Sequence, residues 1–239
     1  FKDVWQGDGR YEIEVPLGRA GATKLQTMKL GKGTSQHMLV AGKTGSGKTT
    51  ILDLIAGLHS PDTGEVRIDG IPLDSVNLHE WRKQIGYAPQ DTVLLHDTIL
   101  NNVTLGDPDL SEADARRALE KADAWSFVES MPEGMYTSVG ERGARVSAGQ
   151  RQRIMLARAL VHGPRLLVLD EATSALDAES EAEICRTLKA LAREITIVAV
   201  SHQPALAEFS NTVYRMVEGR LESHESGAAP KRDRASGET

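Results

Sequence analysis

A chain of 239 residues with 40% apolar side chains has the material for one large α/β domain with a substantial core. Its net charge of −6 argues against the basic surface needed to neutralise many nucleic-acid phosphates, so no nucleic acid is expected as a partner. The single cysteine, Cys185, rules out an internal disulfide and, lying among periodic apolar residues, reads as a core thiol. The longest apolar runs, residues 166–169 and 195–200, fall far short of the roughly 20 residues of a membrane-spanning helix. The chain opens on Phe1 without a signal-peptide pattern and reads as a piece of a longer protein, with any membrane-spanning part outside it.

In chain order, residues 11–16, 25–30 and 37–41 are strand-like runs separated by glycine-rich breaks. Apolar residues Ile51, Leu52, Ile55 and Leu58 then fall at helical spacing until Pro61-Asp62-Thr63-Gly64 turns the chain. Residues 66–70 read as strand and turn. Between residues 91 and 149 the pattern is helical, with Ser111 and Asp114 forming a capping box before a helix over 113–122 and a further helix over 149–161. Alternation returns with a strand over 165–169, a helix carrying Ile184, Leu188 and Leu191, a strand over 195–200 and a hairpin around Glu218-Gly219. Helices between such apolar strands imply a largely parallel sheet. Residues 224–239, almost without large apolar side chains, read as a disordered tail.

The run Gly42-Lys43-Thr44-Gly45-Ser46-Gly47-Lys48-Thr49 has the phosphate-loop pattern between a strand and a helix. Its glycines let backbone N–H groups curl around phosphates, the helix N-terminus adds positive potential, Lys48 supplies a point charge and the Thr49 hydroxyl is a ligand for Mg²⁺; Thr50 closes the loop. Much later an apolar strand ends in Asp170 followed by Glu171. Strand C-termini in open α/β sheets face the ligand crevice, so Asp170 is placed to hold the metal's water shell and Glu171 to reach an attacking water.

The run Gly140-Glu141-Arg142-Gly143-Ala144-Arg145-Val146-Ser147-Ala148-Gly149-Gln150-Arg151-Gln152-Arg153 resembles the signature motif of ATP-binding cassette proteins. Other markers of that family stand in order. Gln90, after Tyr87-Ala88-Pro89, looks like the Q-loop residue that contacts Mg²⁺ or water; Ser174-Ala175-Leu176-Asp177 looks like the D-loop; His202 looks like the switch histidine. Residues 139–143 and 97–104 resemble the exporter branch, where the segment before the signature touches the membrane domain. The resemblance implies a phosphate-loop NTPase core with an N-terminal antiparallel β region over about residues 1–41, a helical subdomain over about 91–160, and a domain ending near 223. It implies an ATPase using ATP and Mg²⁺. Lys48, Glu171 and His202 would be catalytic; residues 42–50 and Gln90 would bind ATP; Thr49, Gln90 and Asp170 would hold the metal; and Ser147, Ala148, Gly149 and Gln150 would close on a partner domain's nucleotide. Such a domain works beside a second one, identical or not, on the cytoplasmic side of a membrane, held there by a transmembrane partner, and pairs slowly or not at all at low ATP without that partner.

Two departures stand out. The signature reads Val146-Ser147-Ala148-Gly149-Gln150 where the family usually has Leu-Ser-Gly-Gly-Gln, so Ala148 places a methyl where backbone approaches phosphate and where an L-residue resists positive φ. Residues 15–20 and 30–42 look like FtsK-type DNA translocases, which makes the chain a mosaic. Residues 18–20, where exporters put the aromatic that stacks on adenine, hold none; Arg19, Tyr11 and Trp5 are the candidates for that contact. Alternative functions are an FtsK-like DNA-translocating motor, a nucleotide-dependent dimerisation module with little turnover, and a soluble cassette ATPase; residues 139–143 argue against the last.

Overall fold

The computed structural model describes residues 13–20, 24–30, 37–42, 46–173, 176–201 and 203–226. Strands β1 (Ile13–Ala20) and β2 (Lys24–Leu30) pair antiparallel, and β3 (His37–Gly42) leaves them for a second sheet. After α1 (Lys48–Ile55), the short strands β4 (Arg67–Ile68) and β5 (Ile71–Pro72) return to β1, completing a four-stranded sheet in the order β2-β1-β4-β5. Next come α2 (Leu78–Arg82), β6 (Ile85–Ala88) and a helical lobe of α3 (Ile99–Thr104), α4 (Glu112–Lys121), α5 (Trp125–Glu129) and α6 (Ala148–Leu160). The chain finishes with β7 (Leu166–Asp170), α7 (Ala178–Leu191), β8 (Thr196–Val200), α8 (Pro204–Phe209), β9 (Thr212–Val217) and β10 (Arg220–Ser226). The second sheet runs β10-β9-β3-β8-β7-β6, antiparallel only between β10 and β9. This is the α/β architecture with a largely parallel sheet that the alternation of elements implies.

Burial explains the strand order. Every residue of β7 and β8 is buried, as central parallel strands covered on both faces must be. Their side chains alternate between two cores. Leu167, Leu169, Ile197 and Ala199 join the helical lobe and α7, while Leu166, Val168, Val198 and Val200 join α1 and the antiparallel sheet. Trp81, 1% exposed, donates from Nε1 to the Ile55 carbonyl at 2.8 Å and so fixes α2 to the end of α1. Cys185 is buried, as a core thiol should be.

Several boundaries differ from the sequence reading. β3 is no part of the N-terminal antiparallel sheet: its apolar run is flanked by β8 and β9, while β4 pairs along β1 and β5 lies beyond it on β4. α1 stops at Ile55 because Gly57, at φ 66, donates to Leu54 O while Leu58 N donates to Asp53 O, the paired bonds of a Schellman stop. Leu58 is therefore not on the helix and is 56% exposed. The expected hairpin is present, but its first strand lies parallel to β3, and its second runs to Ser226, three residues into the stretch read as tail. The rest of that stretch, 227–239, lies outside the described residues.

Candidate functional site

Three parallel strands end at one edge of the second sheet, and the polar residues singled out from the sequence gather there. β3 delivers the phosphate loop into α1, β7 delivers Asp170 and Glu171, and β6 delivers Gln90 two residues past its end. Gly42 is glycine for a packing reason: a Cβ there would meet Met216 O of β9 at 2.3 Å and Ser46 Oγ at 2.6 Å. Gly47, at φ 90, is the N-cap of α1 and brings no side-chain oxygen to the amides of the first turn. By contrast α2, α3, α4, α6 and α7 have side-chain caps, from Asn77, Thr98, Ser111, Ser147 and Asp177, while the short helices α5 and α8 have none. Ser46 Oγ is buried in the same loop without a hydrogen-bond partner among the described residues. An uncapped helix start, an orphaned hydroxyl and a buried ammonium on Lys48 fit an anion with several acceptor oxygens.

Glu171 sits at φ 49, a left-handed conformation costing an L-residue about 1 kcal/mol, held by its N–H donating to Val200 O at 2.8 Å. In that conformation its carboxylate meets Lys48 and Gln90. Lys48 Nζ donates to Glu171 Oε1 at 2.8 Å, and Gln90 Nε2 donates to Oε2 at 3.3 Å. Burial raises the Asp170 carboxyl above the usual carboxylate range, opposed by hydrogen bonds from the Thr49 and Tyr87 hydroxyls. Tyr87 donates to Asp170 Oδ2 at 3.3 Å, and burial beside Asp170 and Asp53 pushes its own phenol up to about 12. A hydroxyl and a carboxylate side by side are hard oxygen donors of the kind a small divalent cation prefers.

The sequence reading did not single out Tyr87 as a partner of Asp170; its place just before Gln90 on an alternating strand was the available signal. Nor did it bring the β9–β10 turn to the loop, where Gly219 N donates to Ser46 O at 3.0 Å. Thr50 is exposed on the first turn of α1. Lys43, Thr44, Gly45, His202, Trp5 and Tyr11 lie outside the described residues, and of Arg19 only the backbone is described, paired with Leu25.

The second candidate cradle opens α6. Ser147 Oγ accepts from Gln150 N at 3.1 Å and Gln150 Oε1 accepts from Ser147 N at 3.0 Å, a reciprocal capping box. The Ser147 hydroxyl hydrogen remains available for donation. Ala148 is the first residue of the helix, in ordinary right-handed backbone, so the expected conflict between its side chain and a positive φ does not arise. The tight position comes one residue later: a Cβ on Gly149 would meet Ser180 Oγ of α7 at 2.8 Å, so alanine there needs that side chain to shift. Asp177 caps α7 by accepting from Ser180 N at 2.9 Å, and that bond and the Ser180 hydroxyl hold its carboxyl below the usual range.

A family model described as ABC transporter matches residues 25–174. The chain belongs to the ABC transporter family. The ABC domain is 40% identical over 182 residues to a multidrug resistance ABC transporter ATP-binding and permease protein of Lactococcus lactis, covering 76% of this chain and 31% of that protein. It is 36% identical over 223 residues to an ATP-dependent lipid A-core flippase of Ralstonia nicotianae, covering 92% of this chain and 38% of the flippase. A solved bacterial Atm1-family ABC exporter with ATP bound superposes with a TM-score of 0.78 at 32% identity, covering 91% of this chain and 39% of that one. The chain thus spans about a third of the length of the curated relatives it matches. Because exporters match over more than nine-tenths of the chain, the DNA-translocase reading is not favoured.

Proposed function

We propose that this domain hydrolyses Mg·ATP as one half of a head-to-tail pair, and that the cycle drives export through a membrane domain. The observation carrying this reading is the meeting of Lys48, Gln90 and Glu171 at one sheet edge beside a helix start that no side chain caps. Phosphates enter the loop with the α1 amides and Ser46 Oγ as donors, and the Lys48 ammonium turns from Glu171 toward the γ-phosphate. Glu171, released from Lys48, accepts a proton from the attacking water, while Gln90 keeps a hydrogen bond within reach of both. Thr49 and Asp170, with Gln90 at the loop edge, would hold Mg²⁺, which when bound neutralises charge on the phosphates.

His202 is assigned to the γ-phosphate, and one of Arg19, Tyr11 and Trp5 to adenine. Ser147, Ala148, Gly149 and Gln150 form the cradle that a partner's nucleotide meets, and Asp177 lies beside the same interface. Among the described residues no helix is long and apolar enough to cross a membrane. The membrane partner is therefore assigned to another part of the protein or to another chain, with this domain on its cytoplasmic side.

The test is Glu171→Gln. Phosphate release is expected to fall by about 10²-fold or more while ATP still binds, because the amide keeps the shape and loses the base. Light scattering with Mg·ATP is expected to show a shift from monomer to dimer in that variant. Undiminished hydrolysis would remove Glu171 from the mechanism, and a monomer at saturating Mg·ATP would remove the paired site.

A further inference from the structure

β6 is the edge strand of the second sheet and runs parallel to β7, with Tyr87 opposite Val168. Side chains two residues apart on a strand share a face. Leu166 and Val168 pack in the core that holds α1, Tyr87 packs against that core, and Asp170 follows Val168 on the same face. The ring of Tyr87 therefore lies along β7, and its hydroxyl donates to Asp170 Oδ2 at 3.3 Å. From α1, the Thr49 hydroxyl bonds the same carboxylate. Asp170 is only 7% exposed, so protein groups rather than bulk water set its orientation.

An ionised carboxylate has two oxygens with about four lone-pair positions between them. Here one oxygen carries a phenol proton, which weakens it as a partner for a cation and pins the plane of the group. Such a carboxylate offers a cation one good oxygen instead of a chelating pair. Mg²⁺ is small, keeps strict octahedral geometry and is served by a single carboxylate oxygen, whereas Ca²⁺ takes roughly six to eight oxygens and often both from one carboxylate. The hydroxyl of Tyr87 is thus placed where it bears on the choice between the two ions. Phenylalanine at position 87 keeps the ring against Ile85 and the core and removes that hydroxyl alone.

We infer that Tyr87 is a positioning residue for the divalent cation: by holding Asp170 Oδ2, its hydroxyl makes the carboxylate a one-oxygen partner and so favours Mg²⁺ over Ca²⁺ beside the nucleotide. The inference rests on the reading that Thr49 and Asp170 hold the metal, but not on the pairing of two domains or on hydrolysis.

The experiment titrates Mn²⁺ into this chain saturated with a non-hydrolysable ATP analogue, follows free Mn²⁺ by its paramagnetic resonance signal, and lets Mg²⁺ or Ca²⁺ compete. In Tyr87→Phe the preference for Mg²⁺ over Ca²⁺ is expected to fall about fivefold, the worth of one hydrogen bond to the carboxylate. Affinity for the analogue without divalent cation should stay within about twofold, and the melting temperature should fall by no more than about 4 °C, as for a loss confined to one hydroxyl. A merely structural role would weaken both ions alike. A preference within about twofold of the unaltered protein, whether both affinities hold or drop together, overturns the inference. Asp170→Asn tests the underlying reading, because loss of the ligand charge should lower every metal affinity about tenfold or more. If it does not, the assignment of Asp170 to the metal is what fails; if it does while Tyr87→Phe leaves the preference intact, the inference fails alone.

Discussion

The starts of α1 and α6 are two helix N-termini with opposite provision for their amides. At α1 the cap is Gly47, the neighbouring Ser46 hydroxyl is buried without a partner among the described residues, and the nearby cation, Lys48, is parked on Glu171. At α6 Ser147 and Gln150 cap each other, and Gly149 is pressed against Ser180. The first end is short of partners and so is built for an anion within the same chain. The second is complete in itself, with one hydroxyl hydrogen to spare, which suits a surface that meets its ligand only when another molecule brings it.

The largest expected effect breaks the first end. Lys48→Met removes the buried ammonium and leaves Glu171 with Gln90 as its remaining neighbour in this pair of contacts. Removing one preorganised charge from a developing phosphate charge costs about 10²- to 10³-fold in rate. Hydrolysis measured by phosphate release should fall by that much, and ATP affinity by calorimetry should weaken about tenfold or more. Near-normal affinity would mean that the loop amides and Ser46 hold the phosphates without the lysine.

A smaller effect is expected from breaking the second end. Gly149→Ala puts a methyl 2.8 Å from Ser180 Oγ, a hydroxyl that also donates to Asp177 at 3.0 Å. Alanine gains up to about 1 kcal/mol of helix propensity over glycine, against about 1–3 kcal/mol for overpacking, so the net cost is small and the melting temperature should drop by only a few degrees. Nucleotide affinity of the monomer should be unchanged, whereas ATP-driven pairing in a Glu171→Gln background should weaken about tenfold because the turn must shift. Loss of nucleotide affinity together with pairing would show that the two helix ends are less separate than their caps imply.

How far these two ends could be read from sequence follows from their chemistry. The phosphate loop and the Asp170-Glu171 pair lie in contiguous runs whose residue types are dictated by backbone approach and charge, so pattern and spacing located them, whereas the signature was found through its resemblance to a known family. Periodicity also found the longer elements, β7, β8, α4, α6 and α7. It missed α2, β6, α3, α5 and α8, each of four to six residues, because one turn of helix or four residues of strand hold too few apolar positions to display a period. Long-range pairings were likewise invisible. Nothing local to residues 37–41 or 66–72 says that β3 joins the other sheet while β4 pairs with β1 and β5 with β4, and nothing local to Arg158 says that its guanidinium reaches Val93, sixty-five positions away.

The finest test of the contrast is Ala148→Gly, which restores the residue usual in the family. Sequence reasoning places the methyl as an obstacle to phosphate and as a strained backbone. In the structure Ala148 is the first helical residue, half-exposed and right-handed, and the neighbouring position is the one where a Cβ collides. Glycine there gains no needed freedom and loses part of the propensity that alanine supplies, roughly a few tenths of a kcal/mol at a helix start against about 1 kcal/mol in an interior. The melting temperature should fall by about 1–2 °C, and steady-state hydrolysis should stay within about twofold. A tenfold rise in hydrolysis would instead place the methyl in the path of the partner's phosphate, and the α6 cradle would then be limited by its chemistry rather than held back only by the absence of a second domain.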